Sequence, residues 1–248
     1  MKMSDERTLA AELTSWLKEQ VEASGGKGAV FGLSGGLDSA VVAALCRRAF
    51  AENCLGVIMP CHSSPEDHED AELVASKLRF PVRRVNLDAP YDKILESLAD
   101  EEEGKLSTDD SLKLVRANIK PRLRMIVLYY FAALYHYRVI GTSNKSEYRI
   151  GYFTKHGDGA CDFLPLADLV KKEVYRLARY LEIPERVLNK PPSGGLWSGQ
   201  TDEEELGLSY AQIDSYLLGE KSSAADRIQL LEVNSVHKRS LPKIFKLS

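Results

Sequence analysis

Ala29-Val30-Phe31-Gly32-Leu33-Ser34-Gly35-Gly36-Leu37-Asp38-Ser39 is the stretch that decides the fold. It begins as an apolar strand, 29–33, and a helical pattern follows it at 40–50. Adjacent glycines allow a tight turn whose backbone N–H groups can approach an anion, and the helix adds the positive end of its dipole. The stretch therefore predicts a phosphate-binding loop. The alternative is an ordinary glycine turn with Asp38 or Ser39 as the helix N-cap.

The side chains of this loop indicate a metal as well as a phosphate. Ser34 and Ser39 can donate hydrogen bonds to phosphate oxygens, whereas an ionised Asp38 can only accept them. A carboxylate inside an anion site suggests a bridging cation, and Mg²⁺ shared with the phosphates is the best candidate.

The loop differs from a Walker loop, because no Gly-x-x-x-x-Gly-Lys string occurs in the chain. Its Ser-Gly-Gly-x-Asp-Ser order resembles the loop of the pyrophosphate-loop ATP pyrophosphatases. This resemblance implies that the loop holds the β and γ phosphates of ATP. It also implies that ATP is cleaved between the α and β phosphates, with AMP and pyrophosphate as products.

Strand-like and helical runs alternate along the first 142 residues. After a helix that ends at Gly25-Gly26, the runs are strand 29–33, helix 39–50, strand 54–60, helix 65–79, strand 82–87, helix 91–99, helix 111–136 and strand 138–142. This alternation predicts an α/β fold, an open doubly wound parallel sheet with helices on both faces, of the Rossmann-like, adenine nucleotide alpha hydrolase-like type. The carboxyl ends of the strands would bring 34–39, 60–64 and 142–147 into one site.

The composition is that of an ordinary globular protein. The 248 residues are 44% apolar and 28% charged, with a net charge of −3, so no basic excess points to nucleic acid. The apolar run 125–135 is too short to span a bilayer, and the N-terminus lacks a secretion signal. We expect one cytoplasmic domain, 1–248, without an N-terminal glutaminase domain, because only about thirty residues precede the phosphate loop.

The cysteines do not indicate a metal or disulfide framework. They are Cys46, Cys54, Cys61 and Cys161, which show no Cys-x-x-Cys pair and are predicted to be reduced thiols. Cys61, His62 and His68 could form a metal cluster. The intervening Ser64-Pro65 is typical of a helix start, and we favour that interpretation.

Two segments are predicted to be mobile loops, 100–108 and 190–207. The acidic first segment is most simply a solvated loop. The second contains Pro191-Pro192-Ser193-Gly194-Gly195-Leu196-Trp197, and it either closes over a ligand to exclude water or is a disordered connector.

Three cations, at Lys120, Arg122 and Arg124, precede the apolar part of a predicted helix. Cations are unfavourable near a helix N-terminus, where the dipole is already positive. Either a bound phosphate or carboxylate offsets them, or they form a solvated basic face or pair with the region of Asp109 and Asp110.

Later strings narrow the resemblance to the NAD synthetase family. They are Gly141-Thr142-Ser143-Asn144-Lys145-Ser146-Glu147-Tyr148 and Gly151-Tyr152-Phe153-Thr154-Lys155-His156-Gly157-Asp158-Gly159-Ala160-Cys161-Asp162-Phe163-Leu164-Pro165-Leu166. The match continues through Pro192-Ser193, 200–203 and Leu206-Gly207 to His237-Lys238-Arg239, so it covers nearly the whole chain. It implies a ligase that amidates nicotinic acid adenine dinucleotide (deamido-NAD) to NAD with free ammonia and ATP, through an adenylated intermediate.

The same resemblance implies roles for individual residues. ATP would be bound by Gly32, Leu33, Ser34, Gly35, Gly36, Leu37, Asp38, Ser39, Thr142, Lys171 and Ser193. Deamido-NAD would be bound by Arg122, Lys155, Asp162, His237 and Lys238. Mg²⁺ would be held by Asp38 and Glu147, and the catalytic residues would be Asp38, Asp162 and Lys171. As a hypothesis, Asp162 lies near Lys155 and orients the substrate or helps to deprotonate ammonium. The family often has Thr where Ser193 stands, which keeps the hydroxyl.

The resemblance further implies a homodimer with the dinucleotide site at its interface, which the apolar stretch 125–135 would help to bury. A core helix would have the same pattern. The rival enzymes are another pyrophosphate-loop amidotransferase and a tRNA-thiolating enzyme, which commonly needs catalytic or cluster cysteines and a basic RNA surface. A rival from another class is a nucleotide-binding sensor that never turns ATP over. A sensor would have no use for two metal carboxylates. No Ser-His-Asp or Cys-His set is evident, so catalysis would rest on positioning and charge neutralisation.

Overall fold

A parallel sheet of four strands lies at the centre of the computed structural model, which describes residues 5–102, 109–197 and 199–247. The strands are β1 Ala29–Gly32, β2 Cys54–Ile58, β3 Val82–Arg84 and β4 Arg138–Val139. They are ordered β3-β2-β1-β4, and Ala29 is level with both Cys54 and Arg138. The strand order reverses at β1, so the carboxyl ends of β1 and β4 flank a crevice suited to a ligand.

Helices connect and cover the strands. They are α1 Glu6–Ala23, α2 Leu37–Phe50, α3 Pro65–Leu78, α4 Asp88–Glu102, α5 Asp109–Ala117, α6 Ile119–Tyr135, α7 Lys145–Ile150, α8 Lys171–Tyr180, α9 Glu185–Leu188, α10 Asp202–Leu206, α11 Tyr210–Leu217 and α12 Ala225–Asn234. A 3-10 turn, Val236–Lys238, follows α12. None of the helices in the described ranges has the length and apolar character needed to cross a bilayer.

The two faces of the sheet are covered by different helices. Phe31 on β1 packs into a core cluster with residues of α1, α2, α3 and α8, whereas its neighbour Val30 packs into a second cluster with residues of α4 and α6. Successive side chains of a strand point to opposite faces, so this division confirms the predicted doubly wound fold.

A third cluster lies beyond the sheet. Ile150, Ile213 and Ile228 are almost fully buried against one another and join α7, α11 and α12. Because α7 begins just after the carboxyl end of β4, this cluster supports one wall of the crevice.

The predicted helix 111–136 is wrong in one respect, because it is two helices that meet at Asn118. Pro121 has no N–H to donate and its ring crowds the preceding turn, so it is tolerated only in the first turn of a new helix. Asn118 donates back to the Leu114 carbonyl, which closes α5, and its side-chain oxygen accepts from Thr154.

Other boundaries shift by a few residues. The strand predicted at 82–87 ends at Arg84, although Val85 and Leu87 still donate to the carbonyls of Ile58 and Pro60. The helix predicted at 91–99 covers Asp88–Glu102, and the strand predicted at 138–142 is reduced to two residues plus a bridge between Ile140 and Phe163. Most of the predicted mobile segment 100–108 lies outside the described residues.

The helix-start interpretation of the Cys61 region is confirmed. Ser64 is the N-cap of α3, its hydroxyl accepts from the Glu66 N–H, and Pro65 is the first helical residue. All four cysteines are free thiols, as predicted.

Candidate active site

The loop between β1 and α2 has the conformation of an anion cradle. Gly36 is the N-cap of α2, and it has no side chain that could accept hydrogen bonds from the first helical turn. The N–H groups of that turn therefore remain available to a ligand. The hydroxyls of Ser34 and Ser39 lie 3.0 Å apart, and Ser39 also donates to the Gly36 carbonyl at 2.9 Å. The two serines therefore hold the loop in shape from inside.

Gly35 fixes how closely the loop approaches α3. It has φ +79°, and a Cβ placed there would lie 2.3 Å from the Asp67 carbonyl oxygen and 2.9 Å from Asp70 Cβ. Only glycine meets both the left-handed conformation and this backbone approach. The first turn of α3 is thereby packed directly behind the loop.

The loop opens into a cavity of about 460 Å³. The predicted ATP and metal residues that line it are Gly32, Leu33, Ser34, Gly36, Leu37, Asp38, Ser39, Thr142, Glu147, Lys171 and Ser193. Gly35 lies behind them. Other walls come from the end of β2, from α6, from the segment 151–160 and from residues of the predicted loop 190–207.

A buried lysine joins the two predicted metal carboxylates. Lys171 Nζ lies 2.5 Å from Asp38 Oδ2 and 3.2 Å from Glu147 Oε1, and its side chain is 4% exposed. Lys171 begins α8 and is 133 residues from Asp38 along the chain. Its backbone N–H is held by Ser146 and Asp214 on the neighbouring helices.

This pairing alters the charge states of the group. Burial alone would lower the pKa of Lys171, but Asp38 and Glu147 outweigh that effect and raise it. Burial raises the pKa of Glu147 to about 7; Lys171 opposes the rise and Asp38 adds to it. Burial also raises the pKa of Asp202, with a smaller contribution from Asp38. Three carboxylates therefore share one buried ammonium, and the cluster retains an excess of negative charge.

Several members of this cluster were not assigned a role from the sequence. Asn144 caps α7 by accepting from the Glu147 N–H at 3.1 Å, and its side-chain NH₂ donates to Asp38 at 2.9 Å. Tyr210 donates to Glu147 at 3.1 Å and to Asp202 at 2.8 Å. The Asn-x-x-Glu spacing is typical of a capping box, so the sequence could have predicted the position of Asn144. No pattern in the neighbouring residues predicts the position of Tyr210.

Asp38 and Glu147 have the chemistry that Mg²⁺ requires. Carboxylate oxygens are hard ligands, and a protein Mg²⁺ site commonly uses one or two of them together with substrate phosphates. Lys171 and Asn144 each donate a hydrogen bond to the Asp38 carboxylate. Its two oxygens have about four lone-pair sites, so sites remain that a metal ion can use. Within the described ranges no three acidic, histidine or cysteine side chains form a complete metal cage. The residues fit a Mg²⁺ that ATP helps to hold.

The predicted deamido-NAD residues lie outside the cavity, except for Lys238. Arg122 donates to the Lys155 carbonyl, and Lys155 Nζ donates to the His237 carbonyl at 2.7 Å. Lys238 Nζ donates to Gly151 and Phe153 carbonyls at 2.8 and 2.9 Å. These cations form a continuous strip from the first turn of α6 to the turn after α12.

Asp162 is held elsewhere. Its carboxylate accepts from the Val139 N–H at 2.7 Å and from the Tyr129 hydroxyl at 3.5 Å. In the described parts of the chain no hydrogen bond or ion pair joins Asp162 to Lys155. An orienting role of Asp162 through Lys155 therefore has no contact to support it.

The three cations at the start of α6 have no acidic partner within 4.0 Å among the described residues, which leave out the side chains of residues 109 and 110. Lys120 donates to the Leu196 carbonyl, and Arg122 to that of Lys155. Arg124 lines the cavity and donates to the Met59 carbonyl and the Ser63 hydroxyl, both at 3.2 Å. Burial lowers the pKa of Arg124, so its charge is one that an anion in the cavity would stabilise.

The family model for NAD synthase matches residues 9–248 of the chain. The chain belongs to the NAD synthase family. The matched range includes the loop, the Lys171 cluster and the cation strip described above.

Individual relatives cover almost the same length. The chain is 48% identical over 235 residues to an NH3-dependent NAD(+) synthetase from Carboxydothermus hydrogenoformans, which covers 94% of this chain and 95% of the relative. A solved NMN synthetase from Francisella tularensis aligns with TM-score 0.91 at 35% identity, over 99% of this chain and 100% of that one. A solved NH3-dependent NAD synthetase from Campylobacter jejuni aligns with TM-score 0.78 at 31% identity, over 98% and 100%.

Proposed function

We propose that this protein amidates deamido-NAD to NAD, using ammonia as the nitrogen source and ATP to activate the carboxylate. The observation that carries the proposal is that the loop of Ser34 to Ser39 is joined through Asp38 to Lys171 and Glu147 in one cavity, in a member of the NAD synthase family. The cavity supplies what phosphoryl chemistry needs, which is positioning and charge neutralisation. A cytoplasmic location, in which the four thiols stay reduced, is part of the proposal.

The steps follow from the charges. The nicotinate carboxylate attacks the α-phosphorus of ATP, a new P–O bond forms, and the bond to pyrophosphate breaks. The N–H groups at the start of α2 stabilise the pyrophosphate as it leaves, and the hydroxyls of Ser34 and Ser39 donate to it once they rotate away from their contacts inside the loop. Ammonia then attacks the acyl carbon of the adenylate, AMP departs, and the nitrogen loses a proton. Thr142 and Ser193 are the further hydroxyls that we assign to ATP.

A bound Mg²⁺ would neutralise the phosphate charge that develops in the first step. We assign it to Asp38 and Glu147. Lys171 binds both carboxylates, so it holds them close together and fixes their orientation toward the cavity.

The test is a balanced assay with purified protein. Deamido-NAD, ATP and Mg²⁺ are supplied with ammonium or with glutamine, and NAD, AMP and pyrophosphate are measured. We expect one AMP and one pyrophosphate for each NAD formed, with ammonium alone sufficient. AMP without NAD would shift the proposal to another carboxylate acceptor, and absence of ATP cleavage would favour a nucleotide sensor.

Nicotinic acid mononucleotide is a second candidate acceptor. The observation that favours it is the close structural match to the Francisella tularensis NMN synthetase, which exceeds the match to the Campylobacter jejuni enzyme. The same assay run with each acceptor separates the two, because the preferred acceptor has the higher kcat/KM. A preference for the mononucleotide would replace the dinucleotide in this proposal.

We further propose that α6 forms the interface of a homodimer. Ile126, Tyr130 and Leu134 recur every fourth residue, so they share one face of the helix, and they are 58%, 62% and 53% exposed. Large apolar side chains grouped on one exposed face are typical of an interaction surface. Arg122 lies on the same helix, so a second copy would bring its surface close to the cation strip.

Replacing Tyr130 by Glu should convert the dimer to a monomer. A buried charge at the centre of an apolar interface has no partner and is strongly unfavourable. Sedimentation equilibrium should show at least about a 100-fold weaker association, which corresponds to roughly 3 kcal/mol. The matched control is Tyr180→Glu, an exposed tyrosine on α8 that should leave the mass unchanged. An unchanged dimer in the Tyr130 variant would exclude this face.

A further inference from the structure

A buried lysine that the proposed reaction does not use contacts the wall of the ATP cavity. Lys120, in the first turn of α6, is 6% exposed and forms no ion pair with any carboxylate of the described chain. Its Nζ donates to the Leu196 carbonyl at 2.8 Å and lies 5.4 Å from the centroid of the Tyr91 ring. Burying an ammonium without a carboxylate is unfavourable, so the Leu196 carbonyl is an important compensation.

The contacted segment, 190–197, is here called the flap. Residues 190–196 of the flap line the same cavity as the phosphate loop, and Ser193 lies in the middle of the flap. The base of the flap is anchored to α3, because Lys190 Nζ lies 2.7 Å from Asp67 and 2.6 Å from Asp70. These acids belong to the turn that packs behind Gly35, so the base is tied to the loop itself.

The tip of the flap is held on both sides of one residue, Leu196. The Leu196 N–H donates to Gln200 Oε1 at 2.8 Å, and the Leu196 carbonyl accepts from Lys120. Gln200 is itself buried and donates to Glu205 at the start of the Tyr152 and Tyr210 network. Two buried side chains, one from α6 and one from before α10, thus hold Leu196 from opposite sides.

We propose that Lys120 is a positioning residue that holds the flap closed over ATP. It acts through the Leu196 carbonyl and does not line the cavity. The same helical turn carries Arg122 toward the cation strip and Arg124 toward the cavity, so Lys120 couples the flap to the helix that touches both sites. This inference rests on the proposed function in taking ATP to be the ligand of the cavity.

Opening of the flap has a chemical consequence. Water that enters can attack the acyl carbon of the adenylate, form a C–O bond and release AMP while the carboxylate is regenerated. ATP is then consumed without amide formation. Loss of Lys120 should therefore raise the ratio of AMP to NAD above one, and it should raise the KM for ATP more than it lowers kcat.

Trp197, next to Leu196, reports the flap without any turnover. The chain has two tryptophans, so Trp16→Phe leaves Trp197 as the fluorescent one. In the Trp16→Phe protein, the substitution Lys120→Met keeps an apolar side chain of similar length and removes the hydrogen-bond donor to Leu196. We expect red-shifted emission and stronger acrylamide quenching before ATP is added, and about a 10-fold higher KM for ATP, as for loss of a charged hydrogen bond.

Two further variants make the test decisive. Gln200→Met releases Leu196 from its other side and should produce the same red shift, so the inference stays testable if Lys120→Met does not fold. Lys77→Met, an exposed lysine on α3, is the control and should change nothing. Identical Trp197 spectra and quenching in the Trp16→Phe protein and in its folded Lys120→Met variant, or in the Gln200→Met variant where Lys120→Met does not fold, would overturn the role of Lys120. That result is independent of whether NAD is the product.

Discussion

Replacing Lys171 by Met should destabilise the folded protein by about 3–5 kcal/mol, the usual cost of removing one partner from a buried ion pair. Lys171 is the cation between Asp38 and Glu147, and Asp202 adds a third carboxylate to the same group. Without the ammonium these carboxylates repel one another in a buried site. Urea unfolding monitored by circular dichroism measures the loss, and Mg²⁺ should recover part of it.

The loss in the Lys171 variant should depend on pH in a defined direction. Burial raises the pKa of Glu147 to about 7 in the folded protein, above its ordinary value, so the folded state binds this proton more tightly than the unfolded chain. The stabilisation from that proton is complete at low pH and is lost as pH rises through the folded pKa. Removal of Lys171 raises the pKa of Glu147 further. We therefore expect a larger deficit at pH 8 than at pH 5.

The matched control is Lys172→Met. Lys172 follows directly in the chain, but its side chain is 53% exposed and its nearest acid, Glu220, is 3.9 Å away. Surface pairs of this kind contribute little to stability, so the control should unfold like the wild type at both pH values. Equal deficits for the two lysine variants, or a deficit that does not change with pH, would contradict the assignment of Lys171 as the shared counter-ion.

Replacing Asp38 by Asn should lower kcat/KM for NAD formation by about 10³-fold, which is the scale of losing one preorganised charge at a transition state. Asp38 accepts from Asn144 with one oxygen and from Lys171 with the other. Asparagine has a single acceptor oxygen, so one of the two donors must face its NH₂ group. The variant also loses a negatively charged ligand for Mg²⁺. Steady-state NAD and pyrophosphate assays measure the effect.

Equilibrium binding separates the metal role of Asp38 from general damage. Mg²⁺ should tighten ATP binding to the wild-type protein and should have little effect on the Asp38 variant. Asp168→Asn, at an aspartate whose side chain is 90% exposed, is the control and should behave as the wild type. Equal tightening by Mg²⁺ in the Asp38 variant would remove Asp38 from the metal site.

Local patterns predicted the elements best where the physical signal is itself local. Ser64 and Pro65 marked the start of α3 correctly, because a cap and a fixed proline φ act within one turn. The break at Asn118 was missed, although Pro121 carried the signal for it, because the apolar period continues across the break. The short strands β3 and β4 were overestimated, since their apolar neighbours pack beside the sheet without extending it.

The site divides in the same way. The predicted phosphate loop occupies only eight consecutive residues, 32–39. Its glycines, its serines and the helix that follows it were therefore enough to predict it. The sequence analysis placed Asp162 near Lys155 only as a hypothesis, and in the structure the Asp162 carboxylate accepts from Val139 and Tyr129 instead. The assignments of ATP, deamido-NAD and Mg²⁺ to individual residues stay predictions for the experiments above.

The sequence by itself determined the parallel sheet, the phosphate loop and the family, because strand and helix periods, tight turns and ordered motifs are encoded by neighbouring residues. The tertiary structure alone decided that Lys171 lies between Asp38 and Glu147, and that Lys120 reaches Leu196, contacts that join residues 133 and 76 positions apart. The physical reason is that a buried charge must find its partner wherever the packed core brings one within hydrogen-bond distance, and separation along the chain does not limit that choice.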